Sequence, residues 1–531
     1  MATGYLALVL HAHLPYVRHP EYEEFLEEDW LYEAIVETYI PLLEMFHGLR
    51  RDGVPFKLTM SLTPPLCHML RDKLLQDRAQ RYLDRSLALA EKEMDRTQND
   101  SRLNAVAKFY HERLSRFRKL YVDRWRRDLV KQFAQLQDEG YLEIITCGAT
   151  HGFLPLMEQF PESVRAQIFL ACDDYREHFG RDPRGIWLPE CAYVSGVEHV
   201  LQEANLRWFI IDSHGLMFGN PRPRYAIYAP CFTPGGVACF ARDRDSSRQV
   251  WSAEEGYPGD PAYRDFYRDI GFDLGLDYLR GVMPSAANGV RKFTGLKYNR
   301  ITGPTENKDI YNRAWAMGAA DAHAGNFMFN REQQIKYLME STNIDPIVVS
   351  PFDAELFGHW WFEGPEFLNL FLRKSAFDQQ QYQFTTPGAY LEKHDTLQMI
   401  VPSASSWGHK GYWEVWLDDS NSWIYPHLHT AARRMTELAT QYRDTNLPWL
   451  ERSLSQLARE LLLAQSSDWA FLMKTGTARE YATKRTKDHV LRFTRLYDQI
   501  KAQAVDEEFL KNCEWRDNIF PNLDWRVYVR E

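Results

Sequence analysis

The sequence predicts an α/β protein built on parallel strands that are buried on both faces. Short apolar runs rich in β-branched residues end abruptly in polar residues, and helical periodicity fills most of the intervals, as in Leu31–Leu49 and Ser163–Phe179. Strands that alternate with helices predict a parallel sheet, and near-continuous apolar strands indicate burial on both faces. The predicted strands are Tyr5–Leu10, Lys57–Leu62, Leu142–Thr146, Gly185–Leu188, Trp208–Ile211, Gly236–Ala241, Pro346–Val349 and Thr396–Val401.

Three stretches interrupt this alternation. Residues 70–140 are charged, helical in pattern and poor in helix breakers, which predicts a helical insertion after the second strand. Residues 242–278 are rich in Gly, Asp, Ser and Tyr and predict a long, lid-like loop, although loops of this length are nearly as often purely structural. From about residue 422 amphipathic helices dominate, and the one strand-like run beyond that point is Trp525–Val529.

The length of the chain, 531 residues, exceeds what one ordinary core accommodates. We therefore expect a catalytic unit over residues 1–410, which includes the helical insertion and the lid-like loop, and a helical unit over residues 411–531. The sequence does not indicate an oligomeric state.

Composition excludes several classes of partner. A net charge of −10 argues against a general nucleic-acid binder, which needs a basic surface to displace counterions. Seven scattered cysteines without a CxxC pair argue against a disulfide framework or a structural zinc site and favour a reducing compartment. No apolar stretch approaches the roughly 18 residues that span a bilayer, and Tyr5–Leu10 is too short for a signal sequence. We expect a cytoplasmic protein without a membrane partner.

Polar side chains follow the ends of six predicted strands. In a barrel of parallel strands the carboxyl ends lie at one rim, where the chemistry collects. One such group would be unremarkable because strand ends are usually polar, but six converging groups predict an active site. The residues are His11 and His13, His151, Glu190, Asp212 and His214, Asp353 and Glu355, and Trp407 and His409.

Two kinds of chemistry fit these residues. A His-x-His pair after a first strand, with an Asp after a late strand, also occurs in metal-dependent hydrolases, where imidazoles and a carboxylate hold a metal that activates water. The alternative is a glycosidase pair, in which Glu190 attacks the anomeric carbon and Asp353 protonates the leaving oxygen. The histidines would then form hydrogen bonds with sugar hydroxyls.

Aromatic residues favour the glycosidase chemistry. They make up 14% of the chain, and the apolar face of a pyranose ring stacks on a flat aromatic side chain. We expect Trp360 to line the cleft and Trp407, Trp413 and Trp416 to form a platform for an acceptor sugar chain. Trp187 is expected to pack away from the cleft, because strand alternation opposes it to Glu190.

Five segments in chain order resemble the five motifs of glycoside hydrolase family 57. Any one of them is a weak signal, but five in order at predicted strand ends are specific, and the likeness covers most of the chain. The resemblance implies an incomplete (β/α)7 barrel with a helical insertion and an all-helical C-terminal domain, and it implies no cofactor and no metal. The segments are His11–Pro15, Gly148–Pro155, Trp187–Tyr193, Ser350–Trp361 and Ser405–Gly408.

The resemblance also implies roles for individual residues. It implies Glu190 as nucleophile and Asp353 as general acid/base. The subsite of the transferred sugar would be lined by His11, His13, His151 and Trp407. The segment around Asp468 resembles one that branching enzymes of this family extend into the cleft, with Ala470 where Pro is often found. Tyr257 resembles the tip of the family's catalytic loop.

The form of the second motif, the length and the double Trp after Asp353 look most like the branching enzymes of this family. This resemblance implies a retaining transglycosidase that cleaves α-1,4 links and forms α-1,6 branches in an α-glucan such as amylose or glycogen. A 4-α-glucanotransferase and an α-amylase-type hydrolase of the same family remain alternatives, as does the metal-dependent hydrolase.

Overall fold

The computed structural model describes residues 4–252 and 254–530. Its strands are β1 Gly4–Ala12, β2 Leu58–Leu62, β3 Leu142–Ile145, β4 Gly185–Ile186, β5 Trp208–Ile211, β6 Cys231–Phe232, β7 Ala238–Ala241, β8 Ile347–Asp353 and β9 Tyr382–Phe384. Its α-helices are α1 Asp29–Ala34, α2 Ile40–Arg51, α3 Pro64–Arg71, α4 Lys73–Arg96, α5 Ser101–Arg118, α6 Leu129–Asp138, α7 Pro161–Phe179, α8 Val197–Glu203, α9 Ser213–Met217, α10 Arg244–Trp251, α11 Ile270–Asp273, α12 Leu276–Leu279, α13 Arg313–Thr342, α14 Gly364–Phe377, α15 Pro387–Leu391, α16 Tyr425–Gln441, α17 Pro448–Ala464, α18 Ser467–Thr475, α19 Arg479–Lys501 and α20 Glu507–Arg516.

Two largely parallel sheets form the centre of the molecule. The first has the order β3-β2-β1-β8, with β9 also paired to β1, and the second has the order β4-β5-β7-β6. Only β6 pairs antiparallel to its neighbour in these sheets. A parallel bridge between Thr146 and Ile186 joins β3 to β4. Just after β7, the N–H of Asp243 donates to the carbonyl of Val349 in β8 at 2.8 Å, which connects the second sheet, at β7, to the first sheet. Seven parallel strands therefore follow one another as β8-β1-β2-β3-β4-β5-β7, and the fold is mixed α/β with parallel sheets, as predicted.

The strand interiors explain why these runs could be read from the sequence. Every residue of β2, β5 and β7 is buried, which is the pattern of strands covered on both faces. Because all seven strands run in the same direction, their carboxyl ends open on one rim of the molecule.

Two strand predictions were wrong. Thr396–Val401 forms only isolated bridges, from Met399 to Phe232 and from Val401 to Asn220, because its ends pair with two different segments rather than along one neighbour. In place of the predicted strand Trp525–Val529, residues Trp525–Tyr528 form a 3-10 helix. The side chain of Asp524 caps its N-terminus by accepting a hydrogen bond from the N–H of Arg526. The short strands β6 and β9 were not predicted.

The stretches that interrupt the alternation are mostly helical. The helices α4, α5 and α6 occupy most of residues 70–140, and Asp72, Asp100 and Asp128 cap their N-termini. The predicted lid-like loop contains α10, α11 and α12, and five helices, α16–α20, follow residue 424. Among the described residues, no helix combines the length and the apolar character that a membrane crossing requires.

Candidate active site

A cavity of about 1140 Å³ opens at the rim where the parallel strands end. It brings together nine of the eleven side chains that were given a catalytic or substrate-binding role. They are His11, His13, His151, Glu190, Asp353, Trp360, Trp407, Trp416 and Asp468. Trp413 and Tyr257 do not line it. Of the other strand-end residues, Glu355 and His409 also line it, whereas Asp212 and His214 do not.

Glu190 lies on a strained turn that directs its side chain into the cavity. Its backbone has φ 63° and ψ 23°, and the next residue, Cys191, also has a positive φ of 49°. Left-handed backbone costs a non-glycine residue about 1–3 kcal/mol and persists where the surroundings enforce it. Here the N–H of Trp407 donates to the Glu190 carbonyl at 3.0 Å, and the N–H of Cys191 donates to the Leu188 carbonyl at 2.8 Å.

The carboxylate of Glu190 is largely enclosed and is held by an indole. Trp407 Nε1 donates to Glu190 Oε2 at 2.7 Å, and the side chain of Glu190 is 15% exposed. Burial raises the pKa of Glu190 to about 8; the Trp407 hydrogen bond opposes this rise, and the charges of Asp353 and Asp468 add to it. His13 lowers the pKa of Glu190.

Asp353 ends β8 and lies opposite His11 in the β1–β8 register. Burial raises its pKa well above the usual range, the neighbouring Glu355 raises it further, and Arg242 opposes the rise. Two enclosed carboxyl groups in one cavity titrate as a pair, and ionisation of one disfavours ionisation of the other. Trp407 favours the charge on Glu190 whereas Glu355 disfavours it on Asp353, so the arrangement suits an ionised Glu190 and a protonated Asp353.

Three histidines form one packed group beside Glu190. The rings of His13 and His151 stack with centroids 3.8 Å apart, and His11 Nε2 lies 3.1 Å from His151 Nε2. Burial lowers the pKa of His11 and of His151 well below the usual value, and repulsion from a neighbouring histidine lowers both further. Neutral imidazoles can both donate to and accept from sugar hydroxyls. The three Nδ1 atoms face the hydroxyl oxygens of Ser61, Thr63 and Ser467.

The segment that begins α18 completes the cavity from the C-terminal helices. The N–H of Ser467 donates to the His151 carbonyl at 3.0 Å, and Asp468 Oδ2 lies 3.0 Å from His13 Nε2. Ser466 Oγ donates to the same carboxylate at 2.5 Å. Burial favours the neutral form of Asp468, but His13, His151 and the Ser466 hydroxyl together outweigh it, and the pKa of Asp468 falls to about 2. Asp468 is therefore an anion that orients His13.

Among the residues that the structure describes, two groups of side chains at the site could hold a metal ion, but neither combines His11, His13 and Asp353 as the metal hypothesis expected. Ligand atoms of His13, His151 and Asp468 lie within 4.8 Å of one another, as do those of His11, Cys147 and His151. A cation at either position would have to displace existing partners, since His13 Nε2 is paired with Asp468 and His11 Nε2 with His151.

The predicted tryptophans differ in how much of each ring reaches the cavity. Trp360 is 55% exposed, whereas Trp416 is 1% exposed and stacks on Phe153 at 4.4 Å. Trp413 contacts the same Phe153 edge-on at 5.3 Å. Trp187 is fully buried beneath the site, where it stacks on His11 at 4.6 Å.

Tyr257 packs on a helix and not over the carboxylates. Its hydroxyl donates to Asn326 Oδ1 at 2.7 Å, and its ring stacks on His323 at 4.7 Å. Both partners belong to α13. The loop tip is therefore docked against α13 in this structure.

Two charged residues of the cavity that act on Asp353 had no predicted role. Glu355 accepts a hydrogen bond from the Tyr39 hydroxyl, and burial raises the pKa of Glu355 to about 7. Arg242 lies 3.6 Å from Asp212 Oδ2, and its guanidinium carbon is 5.7 Å from the Trp407 ring centroid. Arg242 is the first residue after the predicted strand Gly236–Ala241, so the strand-end criterion could have identified it.

Two family models together match most of the chain. The model of glycosyl hydrolase family 57 matches residues 7–403, and a model described as the C-terminal part of 1,4-α-glucan branching enzymes matches residues 427–528. A 1,4-α-glucan branching enzyme of Thermococcus kodakarensis is 35% identical over 99% of this chain and 79% of its own length.

Two solved structures resemble the whole chain. An α-amylase of Thermotoga maritima, AmyC, has a TM-score of 0.93 and 45% identity, with 99% of each chain covered. A family 57 branching enzyme of Pyrococcus horikoshii has a TM-score of 0.89 and 34% identity, with 100% of this chain and 97% of that chain covered. Since the family model spans well over half of the sequence, the chain belongs to glycosyl hydrolase family 57.

Proposed function

We propose that the protein acts as a 1,4-α-glucan branching enzyme, a retaining transglycosidase that cleaves α-1,4 links and forms α-1,6 branches. The match of the branching-enzyme C-terminal model to residues 427–528 carries this proposal, because that segment supplies Asp468 to the cavity. The branching enzymes of Thermococcus kodakarensis and Pyrococcus horikoshii, similar over nearly the whole chain, support it. The partner is an α-glucan polysaccharide.

The reaction proceeds by double displacement. The Glu190 carboxylate attacks the anomeric carbon while Asp353 gives its proton to the leaving glycosidic oxygen, which yields a β-glucosyl ester and a free glucan end. The Asp353 carboxylate then takes the proton of an acceptor 6-hydroxyl, whose oxygen attacks the same carbon and releases Glu190. Two inversions give net retention, and this mechanism requires the two carboxyl groups to lie about 5–5.5 Å apart.

The remaining site residues bind the sugar on the Glu190 side. His11, His13 and His151 line the subsite of the transferred sugar, whose hydroxyls would replace some of the present partners of the ring nitrogens, and Asp468 orients His13. Trp407 holds Glu190 through Nε1 and offers its ring to the sugar. Trp413 and Trp416 pack against Phe153, and Trp416 is 1% exposed, so we do not retain these two residues as a platform for the acceptor chain.

The finer architecture belongs to the same proposal. The seven parallel strands would form the incomplete (β/α)7 barrel within a catalytic unit of residues 1–410, which carries the insertion at 70–140, and residues 411–531 would form the helical unit. The bounds of the two family models, 7–403 and 427–528, support this division. The seven cysteines are free and buried, which supports a cytoplasmic location.

Hydrolysis of α-1,4 links is the second candidate function. The specific observation in its favour is the 45% identity to the Thermotoga maritima α-amylase. Both functions share the glucosyl ester and differ only in whether water or a glucan 6-hydroxyl resolves it; a 4-hydroxyl acceptor would give 4-α-glucanotransfer. Each 1.4 kcal/mol of difference between these barriers changes the partition about tenfold.

Incubation with amylose separates these functions. We expect new α-1,6 links, detected as shorter chains after treatment with a debranching enzyme, with a much smaller rise in reducing ends. A rise in reducing ends without branches would assign hydrolysis, and redistributed linear chains without either would assign 4-α-glucanotransfer. The Glu190→Gln variant serves as the blank.

A further inference from the structure

A row of aromatic side chains extends outward from the cavity beside Trp360. Phe266 stacks on Trp360 with centroids 4.5 Å apart and contacts Tyr267 at 5.3 Å and Phe293 at 5.9 Å. Phe293 in turn contacts Phe272 at 5.2 Å. We call these five residues the aromatic strip; only Trp360 among them was predicted as a site residue.

The outer residues of the aromatic strip are open to solvent. Tyr267 is 77% exposed and Phe272 is 46% exposed, in addition to the 55% exposure of Trp360. A single exposed aromatic is common on protein surfaces, but a contiguous set marks a surface that binds something.

The inner rings of the strip rest on a buried cation. Lys297 Nζ lies 4.2 Å from the centroid of Phe266 and 4.4 Å from that of Phe293, and Lys297 is 2% exposed. Lys297 also donates to the Phe266 carbonyl. Cation–π contacts of this kind fix the rings from the interior side, so the strip is a preformed surface.

The position of the strip decides which part of a glucan it meets. Trp360 lies on the loop that follows Asp353 and lines the same cavity, whereas His151 and Trp407 lie beside Glu190, at 3.9 and 2.7 Å from its carboxylate oxygens. In a double displacement the glucosyl group stays on the nucleophile, and the leaving group lies on the side of the general acid. A chain continuing outward from the Asp353 side therefore runs towards the aromatic strip.

We propose that the aromatic strip is a glucan-binding surface that extends the Asp353 side of the cleft. It holds the leaving chain during formation of the ester and the acceptor chain during its resolution. This inference rests on the proposed function, since its occupant is the α-glucan that the cavity cleaves. The strip favours long acceptors, because short chains end before they reach Tyr267 and Phe272.

The binding test uses a double variant of the two exposed outer residues in an inactive background. Glu190→Gln/Tyr267→Ala/Phe272→Ala is compared with Glu190→Gln and with the control Glu190→Gln/Tyr337→Ala, which removes a 69% exposed tyrosine on α13. Affinity electrophoresis in gels with amylose should show about tenfold weaker binding for the strip variant only. Equal retardation of all three proteins would overturn the proposal.

The activity test separates failure of this inference from failure of the proposed function. In active enzyme, Tyr267→Ala/Phe272→Ala should lower kcat/KM on long amylose severalfold more than on maltoheptaose and should raise the hydrolytic fraction. If wild type forms no α-1,6 links but the strip variant still loses amylose affinity, the branching function fails and the strip stands. If wild type branches and the strip variant matches Tyr337→Ala on both substrates, the strip fails alone.

Discussion

The Glu190 side and the Asp353 side of the cavity are constructed differently. On the Glu190 side, His11, His13 and His151 are enclosed, and every imidazole nitrogen named above has a polar partner. On the Asp353 side the surface opens onto exposed Trp360 and Tyr267. Fixed hydrogen-bond geometry suits the one sugar that must be positioned for attack, whereas flat exposed rings suit a chain whose register varies. Changes on the first side should affect all turnover, and changes on the second should affect the choice of acceptor.

The largest effect is expected from Glu190→Gln. The substitution keeps the size of the side chain and an oxygen that can accept from Trp407, but it removes the nucleophile on which both outcomes depend. Branching and hydrolysis of amylose should fall together by about 10⁴-fold or more, as nucleophile deletions do in covalent mechanisms. Assays of both products, with circular dichroism as the folding control, measure this. Hydrolysis within tenfold of wild type would mean that another group attacks.

A smaller but still uniform loss is expected from Asp468→Asn. The amide removes the negative charge that orients His13, and displaced binding groups reduce turnover by about 10–100-fold. Cleavage and transfer should fall by the same factor. The matched control is Asp488→Asn, which removes an exposed ion pair with Lys484 on α19. If the rate of cleavage were unchanged and the hydrolytic fraction rose, Asp468 would act in acceptor binding and not in positioning the transferred sugar.

The pH dependence should shift in opposite directions when the two charged neighbours of Asp353 are changed. Activity needs a protonated Asp353, so it is lost as the pH rises through the pKa of that group. Ionised Glu355 raises this pKa and Arg242 lowers it. Glu355→Gln should therefore move the alkaline limb of kcat/KM to lower pH, and Arg242→Gln should move it to higher pH.

Initial rates on amylose across the pH range measure these limbs, and Asp353→Asn should remove the alkaline limb. The limbs report apparent constants of the coupled carboxyl pair. Shifts of the same sign in Glu355→Gln and Arg242→Gln would show that the alkaline limb belongs to a group other than Asp353.

The sequence predicts those site residues that follow a strand, and it does not predict contacts between distant segments. Residues at strand ends, such as Glu190 and Asp353, were found from local patterns because a strand and its polar terminus are continuous in sequence. Asp468 pairs with His13 across 455 positions of sequence. The family resemblance implied that the segment around Asp468 enters the cleft, but the pairing itself was not predicted. No local pattern shows that Trp416 stacks on Phe153, since the two residues lie far apart in the sequence.

The fold was predicted to a similar extent. The buried parallel strands have a continuous apolar signature, and these predictions are confirmed. The run Thr396–Val401 has the same signature but lacks a single neighbouring strand along its length, which is a property of tertiary structure. The aromatic strip was missed because Phe266, Phe293 and Trp360 come from three separate segments.

A modest effect is expected at Tyr257. The lid hypothesis predicts that Tyr257→Ala lowers branching much more than hydrolysis, because the loop would no longer exclude water from the ester. Packing on α13 predicts instead an unchanged partition, with a loss of about 0.5–1.5 kcal/mol of stability in Tyr257→Phe from the hydrogen bond to Asn326. Thermal unfolding of Tyr257→Phe and product analysis of Tyr257→Ala decide between them; we expect the packing outcome.

No change at all is expected from chelators. In the proposed mechanism Glu190 supplies the nucleophile and Asp353 the proton, so no step needs a metal-activated water. The nitrogens that a metal would use are engaged, His13 Nε2 with Asp468 and His11 Nε2 with His151, and a cation would have to break these contacts. Branching rates should therefore be equal before and after dialysis against EDTA, with and without added zinc. One tightly bound metal ion per chain, removed together with activity and restored with it, would contradict the carboxylate mechanism. It would favour the metal-dependent hydrolase, with the histidines of the Glu190 side as metal ligands.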